Sequence, residues 1–344
     1  MKPDLLSRYP GELEELFKAL GEPGYRARQL FGWLHQKRAR DFMEMTSLSS
    51  GLRERLREEY SISRPFVKKK LVSELDGTVK YLYALSDGEA VEGALMRHRH
   101  GNSLCISTQA GCRMGCAFCA SATGGLKRNL TAGEMLGEVY ETAHDLLASG
   151  EKLGSLVLMG TGEPLDNFDE VMRFMELLSN PAGFGMSLRR LSLSTCGLAD
   201  GIRRLAEKRY PLTLSVSLHA PRDDTRSELM PVNRRHDIAS LLAACKDYFE
   251  ITGRRISFEY ALMAGKNDGP QDALDLAALL KGMNCHVNLI PHNPVAERDF
   301  TRPSQETVQR FLRILESRGI TATVRRELGS DVLAACGQLR NSGG

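Results

Sequence analysis

The chain has 344 residues, enough for a sizeable core, and its 42% hydrophobic and 26% charged content is that of a folded globular protein, not a disordered or fibrous one. No run reaches the roughly 18 apolar residues that span a bilayer, and the acidic stretch "MKPDLLSRYPGELEELFKAL" holds no apolar signal segment. A cytoplasmic location away from membranes is therefore expected, where thiols stay reduced and the eight cysteines serve as ligands, nucleophiles or core residues. The net charge is only +3, and residues 1–100, with 18 Lys and Arg against 15 Asp and Glu, already account for it. Polyanion binding would rest on local clusters, namely Arg26, Arg28, Lys37, Arg38 and Arg40, then Lys68, Lys69 and Lys70, each of which also reads as a solvated face.

In chain order, "GELEELFKAL" and "ARQLFGWLHQK" carry apolar residues at helical spacing on either side of "GEPGY", so residues 1–65 read as a small helical accessory domain. Residues 66–100 change character. "FVKKKLV", "VKYLYAL" and "AVEGALM" are strand-like runs split by turns at Asp76-Gly77 and Asp87-Gly88, a β extension. From 101 to 344 six apolar runs ("SLCIST", "SLVLMG", "RLSLST", "LTLSVSLH", "RISFEYAL", "HVNLIP") alternate with helical segments, and "TATVRREL" offers a seventh strand. Such alternation implies an α/β fold with a parallel sheet, here a partial (βα)6 barrel whose functional residues lie at the C-terminal strand ends.

At the end of the first of these strands stands "SLCISTQAGCRMGCAFCASATGG", with Cys112, Cys116 and Cys119 spaced C-x3-C-x2-C and Cys105 apart upstream. Four thiolates normally hold an iron–sulfur cluster, and four ligands close a structural zinc. Three thiolates leave one iron of a four-iron cluster open to a substrate or cofactor; a zinc completed by a remote His is the other reading. Thr131 and Glu134 have capping-box spacing for the following helix. After the second strand, Gly160 and Gly162 permit close backbone approach and Glu163 offers a carboxylate, as an ordinary βα turn also would. Ser194, then Ser217, Leu218 and His219, then Asn293 fall at later strand ends, where a capping serine, a satisfied histidine and an Asn-Pro turn are the structural alternatives. Cys196, Cys245 and Cys285 read as core cysteines; Cys336, between "RRE" and a glycine, reads as core or reactive alike.

The C-x3-C-x2-C spacing resembles the signature of radical S-adenosylmethionine enzymes. Together "GCAFCASATGGLKRNLTAGE", "MGTGEPLDN", "SVSLHA", "VNLIPHNP" and "RRELGSDVLAACGQL" are similar to the RlmN family, radical adenine-C2 RNA methyltransferases, over nearly the whole chain except the short C-terminal tail. The resemblance implies a radical-SAM barrel with a [4Fe-4S] cluster on Cys112, Cys116 and Cys119, and two S-adenosylmethionine molecules per turnover. It assigns Gly162, Glu163, Ser194, Ser217, Leu218, His219 and Asn293 to cofactor binding. Cys336 matches the cysteine that carries the methyl group, Cys105 the second catalytic cysteine, and Glu92, otherwise a solvent-facing strand residue, the proton acceptor. It further implies 23S rRNA at the peptidyl-transferase centre and tRNA beside the anticodon as substrates, and a transient Cys105–Cys336 disulfide. The remaining implications are an electron donor such as flavodoxin or ferredoxin, a monomer, and RNA gripped by the N-terminal domain with Trp33. An adenine-C8 methyltransferase of the same superfamily and a zinc-binding RNA module are the rival readings.

Overall fold

The structure, a computed structural model, describes residues 2–99, 101–295 and 298–339. Helices α1 (Pro10–Ala19), α2 (Gly24–Phe31) and α3 (Ser50–Glu59) form the N-terminal part, with α2 running into a π turn at Gly32–Gln36. Strands β1 (Phe66–Val72), β2 (Val79–Ala84) and β3 (Ala90–His98) follow as an antiparallel meander. Its tight corners use Gly77 and Gly88 at positive φ, where the two "DG" pairs place them.

The meander continues directly into the parallel strands. β3 pairs antiparallel with β4 (Gly101–Ile106), and β4 is the first of a parallel run. That run is completed by β7 (Leu153–Leu158), β8 (Leu191–Thr195), β9 (Thr213–Ser217), β10 (Ile256–Leu262), β11 (Cys285–Pro291) and the short β12 (Ala322–Val324). The result is one ten-stranded sheet in the order β1-β2-β3-β4-β7-β8-β9-β10-β11-β12. All six apolar runs named from sequence are strands of it, and the seventh, in "TATVRREL", is present as three residues. Helices α4 (Ala132–Ala148), α5 (Phe168–Ser179), α6 (Ala199–Lys208), α7 (Asp223–Leu229), α8 (Ile238–Thr252), α9 (Pro270–Leu279) and α10 (Gln305–Ser317) fall between the parallel strands. The Thr131–Glu134 capping box opens α4, Thr131 Oγ1 accepting from the Glu134 amide. A small hairpin of β5 (Gln109–Gly111) and β6 (Leu126–Asn129) stands apart from the sheet and pinches off the cysteine loop; nothing in the sequence pattern announced it.

One apolar core runs from Leu5 and Phe17 through Tyr81, Leu104 and Val139 to Phe311 and Ala322, so the N-terminal helices pack on the sheet's helical layer. Polar ties fix this docking: His35 Nδ1 meets the Tyr140 hydroxyl at 2.9 Å, and Glu141 accepts both Arg40 at 2.6 Å and the buried Arg64 at 2.7 Å. At the C-terminal mouth the backbone is crowded. A Cβ on Gly160 would stand 2.5 Å from the Ile106 carbonyl oxygen, and Gly162, at φ 108°, would place one 2.6 Å from Gln109 Cβ. Gly160→Ala is expected to cost about 1–3 kcal/mol by forcing β4 and β7 apart, a loss visible as a lower thermal midpoint with the same fold.

Candidate active site

The loop carrying Cys112, Cys116 and Cys119 is clamped at both ends and along its length. The Cys112 amide donates to the Gly125 carbonyl at 3.1 Å, closing the loop over the β5–β6 hairpin. Gly111 permits this, since a Cβ there would lie 1.9 Å from that same carbonyl. Mid-loop, the Ala117 amide donates to Leu229 O on α7 at 2.8 Å. Beyond Cys119, the Ala120 amide donates to Gly337 O at 2.9 Å and Ser121 Oγ to Leu339 O at 2.6 Å. The last two bonds tie the cysteine loop to the C-terminal segment, in sequence more than 200 residues away, and set Cys119 and Cys336 one residue each from a shared hydrogen bond.

The C-terminal segment is held on its other side too. Gly329 N donates to Asp76 Oδ2 at 2.9 Å and Glu74 N to Asp331 Oδ2 at 3.0 Å, pinning it to the β1–β2 turn. Asn293 Nδ2 reaches Cys336 O at 3.2 Å, and Gln338 Nε2 reaches Pro294 O at 2.8 Å. The segment thus lies across the mouth of the parallel strands and divides it into two cavities.

The first cavity is lined by Cys112, Cys116 and Cys119, by Gly160, Gly162 and Glu163 after β7, by Ser194, Ser217 and His219 from β8 and β9, and by Asn293 and Cys336. The second is lined by Cys105 together with Met96, His98, Val157, Arg302 and Arg326. Cys336, Asn293, Arg325, Met159 and Ile290 line both. Most of the sequence-derived residues are therefore gathered around the first cavity or its cysteine loop. Leu218 does not join them: its side chain is fully buried in the core, its amide donates to Glu259 O, and its carbonyl accepts from Ala220 N and Arg226 Nε.

Each strand-end group has a defined state. Glu163 is buried, its Oε1 accepting from the Leu165 amide at 3.0 Å and Oε2 from the Cys196 amide at 2.7 Å, so one carboxylate holds the β7 and β8 loops together. Burial pushes its pKa up, while the amide hydrogen bonds from Cys196 and Leu165 oppose the shift. Each oxygen keeps a lone pair for a further donor such as an ammonium. His219 sits at φ 58°, and its Nδ1 accepts from the Ala261 amide at 2.9 Å. The ring proton then resides on Nε2, and burial drives the pKa down to about 3, so a neutral imidazole presents an N–H donor beside Phe118, which meets it edge-on at 5.0 Å. Asn293 Oδ1 is buried without a hydrogen-bond partner among the described residues, an acceptor on the wall of the first cavity.

Of the three loop thiols Cys112 is buried and Cys116 and Cys119 are half-buried. Burial raises Cys112 to about 12 and Cys116 well above the ordinary thiol range, so a metal centre that binds them must displace protons as it does so. Among the described residues no group of three or more His, Cys, Asp or Glu side chains is close enough to hold a single metal ion. The donor set is three thiols on one loop, facing a cavity ringed by an unsatisfied amide oxygen, a carboxylate and a neutral imidazole. That chemistry suits an iron–sulfur cluster with one open iron and an amino-acid-bearing nucleoside beside it.

Cys105 faces the C-terminal segment, packing with Ala94, Ala334 and Leu339, and burial with the nearby Cys336 raises it to about 12. Glu92 lines neither cavity. It is buried, not solvent-facing, and pairs with the equally enclosed Lys80 at 2.9 Å. Register places it on the Cys105 face of the sheet: Cys105 stands opposite Ala94, and Glu92 is two residues along β3. Sequence reasoning passed over Lys80, Arg325 and Arg226. It also took Cys196 for core alone, although Cys196 lines the first cavity.

A thiol triad on the loop after the first parallel strand, facing a polar mouth at the C-terminal strand ends, defines a radical S-adenosylmethionine enzyme, and residues 106–277 match the model of the Radical SAM superfamily. Its cofactors are a [4Fe-4S] cluster and S-adenosylmethionine. Residues 4–62 match the Ribosomal RNA large subunit methyltransferase N-terminal domain. The chain is 53% identical over 329 residues to a probable dual-specificity RNA methyltransferase RlmN of Pelotomaculum thermopropionicum, covering 95% of this chain and 89% of that protein. It is 50% identical over 331 residues to the corresponding protein of Lachnoclostridium phytofermentans, covering 96% and 92%. The crystal structure of a radical SAM methyltransferase from Sphaerobacter thermophilus superposes with a TM-score of 0.95 at 44% identity, over 98% of this chain and 99% of that one. The chain belongs to the RlmN family of radical SAM RNA methyltransferases.

Proposed function

We propose that this enzyme methylates C2 of adenine in 23S rRNA, at the peptidyl-transferase centre, and in tRNA beside the anticodon, with the methyl group passing through Cys336. The observation that carries the reading is the position of Cys336 on the wall between two cavities, one bearing the three loop thiols and the other Cys105. A single sulfur there can be loaded from one side and discharged on the other.

Cys112, Cys116 and Cys119 would hold the cluster. Glu163, Ser194, Ser217, His219 and Asn293, with the Gly162 backbone, would hold S-adenosylmethionine. When bound, these cofactors supply a carbon radical able to abstract hydrogen. Adenine C2, between two ring nitrogens, is too electron-poor to attack a sulfonium methyl, whereas a radical adds to it. Cys336 accepts a methyl group as thiolate, gives up one hydrogen from it, and bonds through the resulting methylene to C2. A base then removes the C2 proton. Glu92, held by Lys80 on the Cys105 face of the sheet, is the proposed acceptor, and Cys105, which lines the second cavity, is the other candidate. The adduct also gives up one electron, for which the cluster would serve as acceptor. The Cys105 sulfur, as thiolate, then attacks the Cys336 sulfur, the departing methylene carbon takes up a proton to complete the methyl group, and the Cys105–Cys336 disulfide is left for reduction by an external dithiol.

The adenine must leave its stack to enter the second cavity, whose Arg325 and Arg326 suit a phosphate-bearing ligand, Arg302 being engaged by Glu327. The N-terminal part would grip folded RNA by shape and backbone: Lys37 lies 3.5 Å over the Trp33 ring, and Lys68 and Lys69 stand exposed on edge strand β1. No helix of the described residues is long and apolar enough to cross a membrane. The enzyme would work in the cytoplasm as a monomer, with electrons from a flavodoxin- or ferredoxin-type protein.

Cys336→Ala tests the carrier. This variant is expected to keep iron, sulfide and the fold yet lose RNA methylation entirely. Intact-protein mass after incubation with methyl-labelled S-adenosylmethionine should show the label on the parent protein and none on the variant. Label on another cysteine with normal RNA methylation would reassign the carrier. Glu92→Gln should leave the label on Cys336 while slowing turnover by about 10²- to 10⁴-fold, the usual worth of a general base.

A further inference from the structure

Arg226, on α7, is the largest of the fully buried side chains. It makes five hydrogen bonds, all to uncharged oxygens. Nη2 donates to Cys196 O at 2.8 Å and Ser217 O at 3.2 Å; Nε donates to Leu218 O at 3.1 Å; Nη1 donates to Asn233 Oδ1 at 2.7 Å and His236 O at 3.3 Å. One guanidinium thus fastens the ends of β8 and β9, the two strands that present Ser194, Ser217 and His219 to the cofactor cavity. Its helix also bears on the cysteine loop, because the Leu229 carbonyl accepts the Ala117 amide at 2.8 Å. Cys116 packs against Cys196, Leu229 and Met230 in one apolar cluster beside it.

The electrostatics are unbalanced. A guanidinium remains charged in a protein, and a buried charge is costly unless an opposite charge answers it. Asp223 is linked only through the amide of Asn233, whose Nδ2 donates to Asp223 Oδ1 at 2.9 Å, and Asp223 itself is exposed. The charge reaches the cysteine loop through Cys196, whose carbonyl accepts from Arg226 Nη2 at 2.8 Å and whose side chain shares the apolar cluster with Cys116. A four-iron cluster on three thiolates is an anion, and it gains another negative charge on reduction by one electron. Net charge and surroundings set the potential of such a cluster.

We propose that Arg226 is a positioning residue that also acts electrostatically. It fixes the β8 and β9 ends of the cofactor cavity and supplies the buried positive charge that favours the reduced state of a cluster on Cys112, Cys116 and Cys119. This rests on the reading that those three thiolates hold the cluster.

The test is a redox titration of the anaerobically reconstituted full chain, poised with dithionite and mediator dyes and followed by electron paramagnetic resonance. Arg226→Lys, which keeps the charge, should titrate near the parent midpoint. Arg226→Gln, which keeps donors but not charge, should hold about tenfold less reduced cluster at a given potential, a shift of ~59 mV downward for a one-electron couple. Should Arg226→Gln not fold, the double swap Asn233→Asp with Asp223→Asn moves the existing carboxylate onto the Arg226 Nη1 contact, and the same downward shift is expected. An unchanged midpoint in a folded, cluster-loaded Arg226→Gln or double-swap protein would overturn the proposal and leave Arg226 a purely mechanical tie. Absence of iron and sulfide from the parent protein would instead sink the cluster assignment, so the two failures are distinct.

Discussion

Cys105→Ala is expected to trap the enzyme on its RNA. Cys105 and Cys336 are 231 residues apart in sequence, yet both line the second cavity, and Ala334 and Leu339 pack against Cys105 from either side of Cys336. In the variant, the methyl group can still be loaded on Cys336 and its methylene can still add to C2, since neither step uses Cys105. Release cannot follow, because no other cysteine faces Cys336 from that side among the residues lining the cavity. A covalent protein–RNA species should therefore accumulate, up to one RNA per enzyme. It should survive denaturing electrophoresis, vanish on nuclease treatment and fail to form once Cys336→Ala is added. In the parent enzyme the release step should quicken as pH rises. The Cys105 pKa, pushed up to about 12 by burial and by Cys336, leaves little thiolate at neutral pH, and the thiolate fraction grows about tenfold per pH unit below that value. Normal turnover by Cys105→Ala with no adduct would make Cys105 an ordinary strand residue and reassign the resolving step.

Replacing any one of Cys112, Cys116 or Cys119 by Ala should abolish the chemistry at its source. The loop offers three thiols and no spare: Cys105 faces the other cavity, and Cys196, although it lines the first and packs against Cys116, stands after β8 and not on the loop. Two thiolates do not retain a four-iron cluster. Each variant should purify colourless, with iron and sulfide near zero and 5′-deoxyadenosine production reduced to background. The loop's backbone clamps, at Gly125, Leu229 and Gly337, do not depend on the thiols, so far-ultraviolet circular dichroism should be unchanged. Full iron and sulfide content with normal cofactor cleavage in any of the three would overturn the cluster assignment.

Much of this site could be read from the chain because its parts are local. The parallel strands are short β-branched runs whose ends are marked by Ser, His, Asn or Gly, and a strand end is where such a fold puts function. The C-x3-C-x2-C spacing confines three ligands to one loop. What remained hidden was what the fold assembles from distant pieces. The β5–β6 hairpin is three residues against four, too short for a period to show. Arg226 lies in "DDTRSEL", which reads as a solvated helical turn; only burial against the ends of β8 and β9 reveals its role. Lys80 alternates with apolar neighbours and looks like an outward strand residue until the folded sheet encloses it beside Glu92. Part of the basic clusters is already paired: Arg26, Arg40 and Lys70 are engaged by Glu22, Glu141 and Asp145 within the protein. Charge counted along a sequence does not report which cations the fold has already paired.

The most direct test of the account is nucleoside mass spectrometry. Reconstituted enzyme, a reducing system and methyl-labelled S-adenosylmethionine are incubated with unmethylated 23S rRNA and, separately, with tRNA, and each RNA is digested to nucleosides. Cys336 as carrier and C2 as acceptor require labelled 2-methyladenosine in both digests, its formation lost in Cys336→Ala. Labelled 8-methyladenosine, or no methylated adenosine from an enzyme with full iron and sulfide that cleaves S-adenosylmethionine, would contradict it.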